Sequence, residues 1–284
     1  MSRTFGGATS NNVNFVLPLT IGGTTRMALV AGWWYPTTLT AGLGYWGCGG
    51  TVGAEIGGTT SEIVLRTQNA TTSGVWTTSG AGIVANEWVF LAFFGTFLNT
   101  SSRWRIWKGS INTAPVQVDG LTTPTTAPVG NLTGQATIAL GNRGTGTTVS
   151  WIGDIGNVTV LQQGGSVANI PGPMGISSNY GAITVAEEDQ LQNRYVQPIW
   201  SGNFLAESAF DSSYAGGSNN WCVTHFPMDA TNAGTTFNPS IYSSGLQSPL
   251  ANATVSGASV SLLRTPVSRM GFRNVTREFI APRW

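Results

Sequence analysis

The chain has 284 residues, a net charge of +1 and a charged fraction of 9%, against about 25% in an ordinary soluble domain. Near-zero net charge excludes a chain-wide field that would gather nucleic acid or an acidic membrane. The 11 Trp, 12 Phe and 6 Tyr exclude a disordered chain, since disorder needs a shortage of such side chains.

Short apolar runs separated by Gly, Thr, Ser and Asn dominate the chain and predict strands. The first is Val13 to Leu19. Met27 to Tyr35 is the strongest, with Met27, Leu29, Ala31 and Trp33 on one face and Pro36 at its end. Leu43 to Cys48 follows. Glu62 to Thr67 places Ile63 and Leu65 on one face, and Glu62, Val64 and Arg66 on the other. Val75 to Thr77 is short. Trp88 to Phe97 is nearly all apolar, as expected of a strand buried on both faces. Arg103 to Trp107 alternates, and Val116 to Val118 extends its hairpin before the Thr/Pro-rich segment Leu121 to Pro128. Ala136 to Leu140 and Trp151 to Leu161 come next. Trp221 to Phe226 and Ala251 to Leu263 close the series.

One helix is predicted. Thr184 and Glu187 form a capping box, Val185, Leu191 and Tyr195 supply an apolar side, and Gln197-Pro198 stops it. One helix among so many strands gives an all-β fold, a two-layer antiparallel jelly-roll sandwich spanning residues 1–263. Residues 264–284 form an extended C-terminal arm.

The order of the runs resembles the concanavalin A-like, laminin-G-like jelly roll of many lectins and phage structural proteins. The similarity rests on Trp33-Trp34-Tyr35-Pro36, Asn86-Glu87-Trp88-Val89-Phe90, Ile106-Trp107-Lys108-Gly109, Leu140-Gly141-Asn142-Arg143, Gly153 to Leu161 and Thr184-Val185-Ala186-Glu187-Glu188. It spans roughly residues 10–195 and implies a fold, not a function. Glucanases of this fold carry an acid-x-acid-x-x-acid strand, and none of the 12 acidic residues here completes that spacing. Some members bind calcium, for which Asp119 and Asp154 are the nearest acids; they read as turn or edge residues.

No catalytic constellation emerges. Glu62 with Asp154 is a pair that only folding could assemble for glycoside hydrolysis. The lone histidine, His225, reads as a packed or turn residue. Cys48 and Cys222 are expected as free thiols, and their spacing excludes a zinc finger. Gly141-Asn142-Arg143-Gly144-Thr145-Gly146 lacks the lysine and following helix of a phosphate loop and reads as a hairpin loop. Hence no enzyme activity, metal or cofactor is expected. Met1 to Gly7 lacks the apolar region of a signal peptide, and no run approaches the 18 apolar residues of a membrane span.

Two features suggest binding. Trp46, Trp107 or Trp151 would stack on a sugar ring if exposed, the alternative being core packing. The arm holds Arg264, Arg269, Arg273, Arg277 and Arg283 against Glu278, so it carries +4 and leaves −3 on the rest of the chain. With Phe279 and Trp284 those arginines form a partner-binding set, which docks on a neighbour or folds back on its own domain. Low charge, a sandwich and this arm, together with the resemblance to phage structural proteins, which implies the phage setting, lead to the expectation of a phage capsid decoration or cement protein. It would bind the major capsid protein or other virion proteins at the virion surface after synthesis in the host cytoplasm. It would act as a homo-oligomer, provisionally a trimer, with no nucleic-acid or membrane partner. The alternative is a carbohydrate-binding module of a tail fibre or lectin-like adhesin.

Overall fold

A computed structural model of the chain describes residues 2–8, 12–21, 25–49, 52–57, 62–78, 80–97, 102–119, 123–143, 150–164, 191–202, 221–226, 228, 236–237, 240–243, 253–256 and 259–261. In chain order the strands are β1 (Ser2–Gly6), β2 (Asn12–Ile21), β3 (Thr25–Pro36), β4 (Gly44–Cys48), β5 (Val52–Ile56), β6 (Ile63–Thr67), β7 (Gly74–Thr77), β8 (Val89–Thr96) and β9 (Arg103–Ser110). They continue as β10 (Val116–Asp119), β11 (Gln135–Leu140), β12 (Ile152–Gly164), β13 (Trp221–Phe226), β14 (Thr236–Phe237), β15 (Ser240–Ser243), β16 (Ala253–Ser256) and β17 (Ser259–Ser261).

The pairings resolve into two antiparallel sheets. Sheet I runs β12–β3–β8–β9–β10. On the far side of β12, β1 pairs with residues 152–155 and β13 with residues 158–163. β17 and β15 then extend those two partners. Sheet II runs β14–β16–β2–β11–β4–β5–β6–β7. One parallel bridge, Ile21 to Thr25, links the sheets where β2 passes into β3. β11 and β12 therefore lie in different sheets, so the segment between them crosses from one layer to the other. That corrects the hairpin expected at Gly141: Gly141 turns the chain out of β11 with φ +78°, and the N–H of Trp151 donates to its carbonyl at 2.8 Å.

β3 and β8 are buried on both faces, and each serves two cores. Ala28, Val30 and Trp34 of β3, with Val89, Leu91 and Phe93 of β8, face the space between the sheets. Met27, Leu29, Ala31 and Trp33, with Phe90, Ala92 and Phe94, face outward from sheet I into a second core. Period-two alternation carried on both faces yields the near-continuous apolar runs of the sequence. In the inner core Trp46, Trp76, Trp104 and Phe97 meet at ring distances of 5.6–6.5 Å. Burying one such large side chain contributes about 2–3 kcal/mol.

The outer core is closed by a helical segment: a π-helical turn (Gln192–Val196) that continues as α1 (Gln197–Ser201). Leu191, Tyr195 and Ile199, spaced four apart, point into the outer core. The predicted stop at Pro198 is incorrect. Pro198 occupies the first turn of α1, and the chain stays helical until Gly202 adopts φ 72°. The wider π-turn ahead of it shifts the carbonyl that a proline ring would otherwise meet. The predicted cap at Thr184 and Glu187, with Val185, lies outside the described residues.

Candidate functional site

Tryptophan exposure decides where a flat ligand could rest. Trp46, Trp107 and Trp151 are each 0% exposed. They are core residues and cannot stack on a sugar. Trp151 donates its indole N–H to the carbonyl of Asp154 at 3.2 Å and lies 4.9 Å from Tyr45. The arm residues Arg264, Arg269, Arg273, Arg277, Phe279, Arg283 and Trp284 lie outside the described residues, as does the side chain of Cys222. Cys48 is a free, buried thiol, and burial pushes it far above its ordinary range.

The acids are placed apart. Asp154 is neither a turn nor an edge residue. It sits in mid-strand on β12, flanked by Thr4 of β1 and Tyr35 of β3, and accepts the Thr4 hydroxyl proton at 2.5 Å. Glu62 precedes β6 in sheet II, so folding leaves the two acids on different sheets. Asp119 ends β10 opposite Ile106. His225 lies on β13, where its Nδ1 shares a hydrogen bond with the Thr159 hydroxyl at 3.0 Å.

Half-exposed aromatics do occur, at the margin of the outer core. Tyr35, Ile111 and Trp200 line it, each partly buried. Tyr35 closes β3 and tilts against Trp88 with ring centroids 5.4 Å apart and planes at 59°. Trp200 lies one position off the Leu191–Tyr195–Ile199 stripe, so its ring falls at the edge of the helix. Its indole N–H is anchored on the Ser110 carbonyl at 2.9 Å. The adjoining turn is clamped, because Asn86, held at φ 63°, donates its N–H to the Pro36 carbonyl at 2.7 Å. Asn86, Glu87 and Asn112 flank the aromatics and are exposed. The margin of the outer core thus presents two half-buried aromatics, Tyr35 and Trp200, as a ledge near exposed polar groups, while Trp88 is buried; aromatic and polar groups together are the composition of a small-molecule site. The off-stripe position of Trp200 was the sequence signal for it.

The outer face of sheet II is built differently. One lateral row reads Val75, Arg66, Gly53, Gly47, Ala139, Asn14. Its centre has almost no side chain, and the Gly141–Arg143 segment fills that trough: a Cβ on Gly47 would fall on the carbonyl of Arg143. Glu55 binds both flanking arginines. Its Oε1 accepts Arg66 Nε at 2.8 Å and Nη2 at 2.7 Å, and its Oε2 accepts Arg143 Nη1 at 2.7 Å.

No protein-family profile matches the chain, and no curated protein matches it. Several solved structures are similar to it in part. The LG4-5 domains of the mouse laminin α1 chain match at 13% identity and TM-score 0.37, over 56% of this chain and 40% of theirs. The chain thus spans well under two thirds of that laminin fragment. The CBM40 of a Ruminococcus gnavus IT-sialidase matches at 12% identity and TM-score 0.39, over 56% and 88%. Domain 4 of AbnA, a GH43 extracellular arabinanase from Geobacillus stearothermophilus solved with arabinotriose, matches at 13% and 0.33, over 57% and 70%.

Proposed function

We propose that the chain is a non-catalytic carbohydrate-binding module of jelly-roll type. The observation that carries this reading is the ledge of the half-buried aromatics Tyr35 and Trp200 beside the exposed Asn86, Glu87 and Asn112. A pyranose presents a C–H face that rests on an aromatic ring, and hydroxyls that pair with neighbouring polar groups. The ledge offers both, and the bond from Trp200 to Ser110 holds one ring in place before binding, which limits the entropy lost on association. The low surface charge suits a ligand made of hydroxyls. The acids support a binding role over catalysis in that Asp154 is buried beside Thr4 and Glu55 is engaged by two arginines.

Screening the full chain and a Trp200→Ala variant on a glycan array tests this. The expected result is a restricted set of glycans bound by the parent and lost in the variant, with circular dichroism unchanged. A silent array with the folded parent overturns it.

A second reading is a virion protein that decorates a capsid shell. It is favoured by the 9% charged fraction and by the arginines of the 264–284 segment. Particles assembled without the chain would then lose surface density and heat resistance; particles unchanged in both would refute it.

A further inference from the structure

We propose that Ser110 is the positioning residue of the aromatic ledge, and that the pair it holds, the Trp200 ring and Asn112, selects a pyranose that offers a C–H face beside a vicinal diol. This rests on the glycan reading of the same ledge.

Four hydrogen bonds outside the sheet ladder meet at Ser110, the last residue of β9. Its N–H donates to the Thr113 carbonyl at 3.0 Å. Its Oγ accepts the Asn112 N–H at 3.3 Å and the Thr113 N–H at 3.1 Å, the way a serine hydroxyl stabilises a tight turn. Its carbonyl accepts the Trp200 indole N–H at 2.9 Å. One residue therefore shapes the turn that follows β9 and anchors the ring that leaves the helix. A second fastening joins the same two segments, because Gln192 Nε2 donates to the Pro115 carbonyl at 3.0 Å. Gln192 and Trp200 are separated by about 12 Å of helix at 1.5 Å per residue. Two bonds so far apart fix the direction of the helical segment as well as its position.

The turn itself has no slack. A Cβ on Gly109 would stand 3.0 Å from the Thr113 carbonyl oxygen and 3.1 Å from the Pro115 nitrogen, so the turn folds back against its own strand. Ile111 packs on the outer core, while Asn112 and Thr113 are exposed. The turn thus gives its apolar residue to the core and its polar ones to solvent. Asn112 and Trp200 each sit one hydrogen bond from Ser110, so stacking surface and polar group come as a unit of fixed spacing. A carboxamide carries an acceptor oxygen and a donor nitrogen. These match the neighbouring hydroxyls of a vicinal diol, one donating and one accepting. The Trp200 ring and the Asn112 backbone are ordered before the ligand arrives, which lowers the entropy lost on association.

The test titrates the full chain calorimetrically with cellohexaose, maltohexaose and mannohexaose, and with the 2,3-di-O-methyl ether of whichever binds most tightly. The parent should bind the sugar about tenfold more tightly than its ether, and Asn112→Ala should erase that difference. Ser110→Ala removes Oγ and keeps the carbonyl that Trp200 uses. It should weaken binding about tenfold through lost preorganisation, and speed hydrogen exchange of the Trp200 indole N–H in the free protein. Ser110→Thr, which retains an acceptor oxygen, should restore both. If circular dichroism shows that Ser110→Ala does not fold, Gln192→Ala, which frees the other end of the segment, decides by the same two readouts. Unchanged affinity or unchanged exchange in the folded variant, no recovery in Ser110→Thr, an ether bound as tightly as its sugar, or no binding of any of the three sugars overturns the proposal. Binding that is lost in Trp200→Ala but kept in Ser110→Ala refutes the positioning role alone; a parent that is also silent on the glycan array takes the ledge reading down with it.

Discussion

The carbonyl oxygen of Arg143 occupies the place where a side chain on Gly47 would begin. The two residues are 96 positions apart in sequence, and the contact seats the exit from β11 on β4. Gly47→Ala must push backbone, not a flexible side chain, so the strain has no cheap relief. A loss of about 1–3 kcal/mol is expected, visible as a lower midpoint in chemical denaturation, together with weaker tethering of Arg143 to Glu55.

Glu55→Ala removes the acceptor for two arginines at once. A fully buried partner would be worth more, but both guanidinium groups keep contact with water, which reduces the effect to about 1–2 kcal/mol. Raising salt should narrow the gap between parent and variant, as measured by urea titration at two ionic strengths.

Trp107 and Trp200 should separate stability from binding. Trp107 is 0% exposed in the outer core, and its replacement by Ala is expected to remove about 3–5 kcal/mol. Trp200 is half-buried with one anchoring hydrogen bond, so Trp200→Ala should lose only about 1–2 kcal/mol while abolishing glycan binding. Thermal melts and titrations of the two variants check the contrast.

Alkaline pH should destabilise the fold. Burial raises the Tyr45 phenol and the Cys48 thiol above their ordinary values of 10.0 and 9.0. Above those ordinary values the unfolded chain releases protons that the folded chain retains, so the unfolded state binds fewer protons and stability falls as pH rises. Stability should hold steady below about pH 8 and decline from about pH 9, by up to about 1.4 kcal/mol per pH unit for each group. Cys48→Ala should move the onset upward toward the phenol's ordinary value, as read by denaturation midpoints against pH.

The strands that carry both cores were legible because their apolar residues are dense. Met27 to Tyr35, Trp88 to Phe97 and Arg103 to Trp107 match β3, β8 and β9 closely. β1 and β5 were not read as strands, since Ser-Arg-Thr-Phe-Gly and Val-Gly-Ala-Glu-Ile lack alternation; partner strands, not local preference, hold them extended. The Thr/Pro-rich stretch after β10 likewise joins sheet II through bridges from Thr126, Val129 and Leu132. The binding residues were harder. Tryptophan identity says nothing of depth, so Trp46, Trp107 and Trp151 read as candidates although they are buried. Trp200 was hidden behind Pro198, which read as a helix stop. The bond from Trp200 to Ser110 joins residues 90 positions apart, a distance no local pattern spans.

The most direct test of the account watches the indole N–H signals of the full chain by nitrogen-15 NMR during titration with an oligosaccharide that scores on the array. The account predicts that the Trp200 signal shifts in proportion to saturation while those of Trp46, Trp107 and Trp151 stay fixed. A bound glycan that leaves Trp200 unmoved would contradict it.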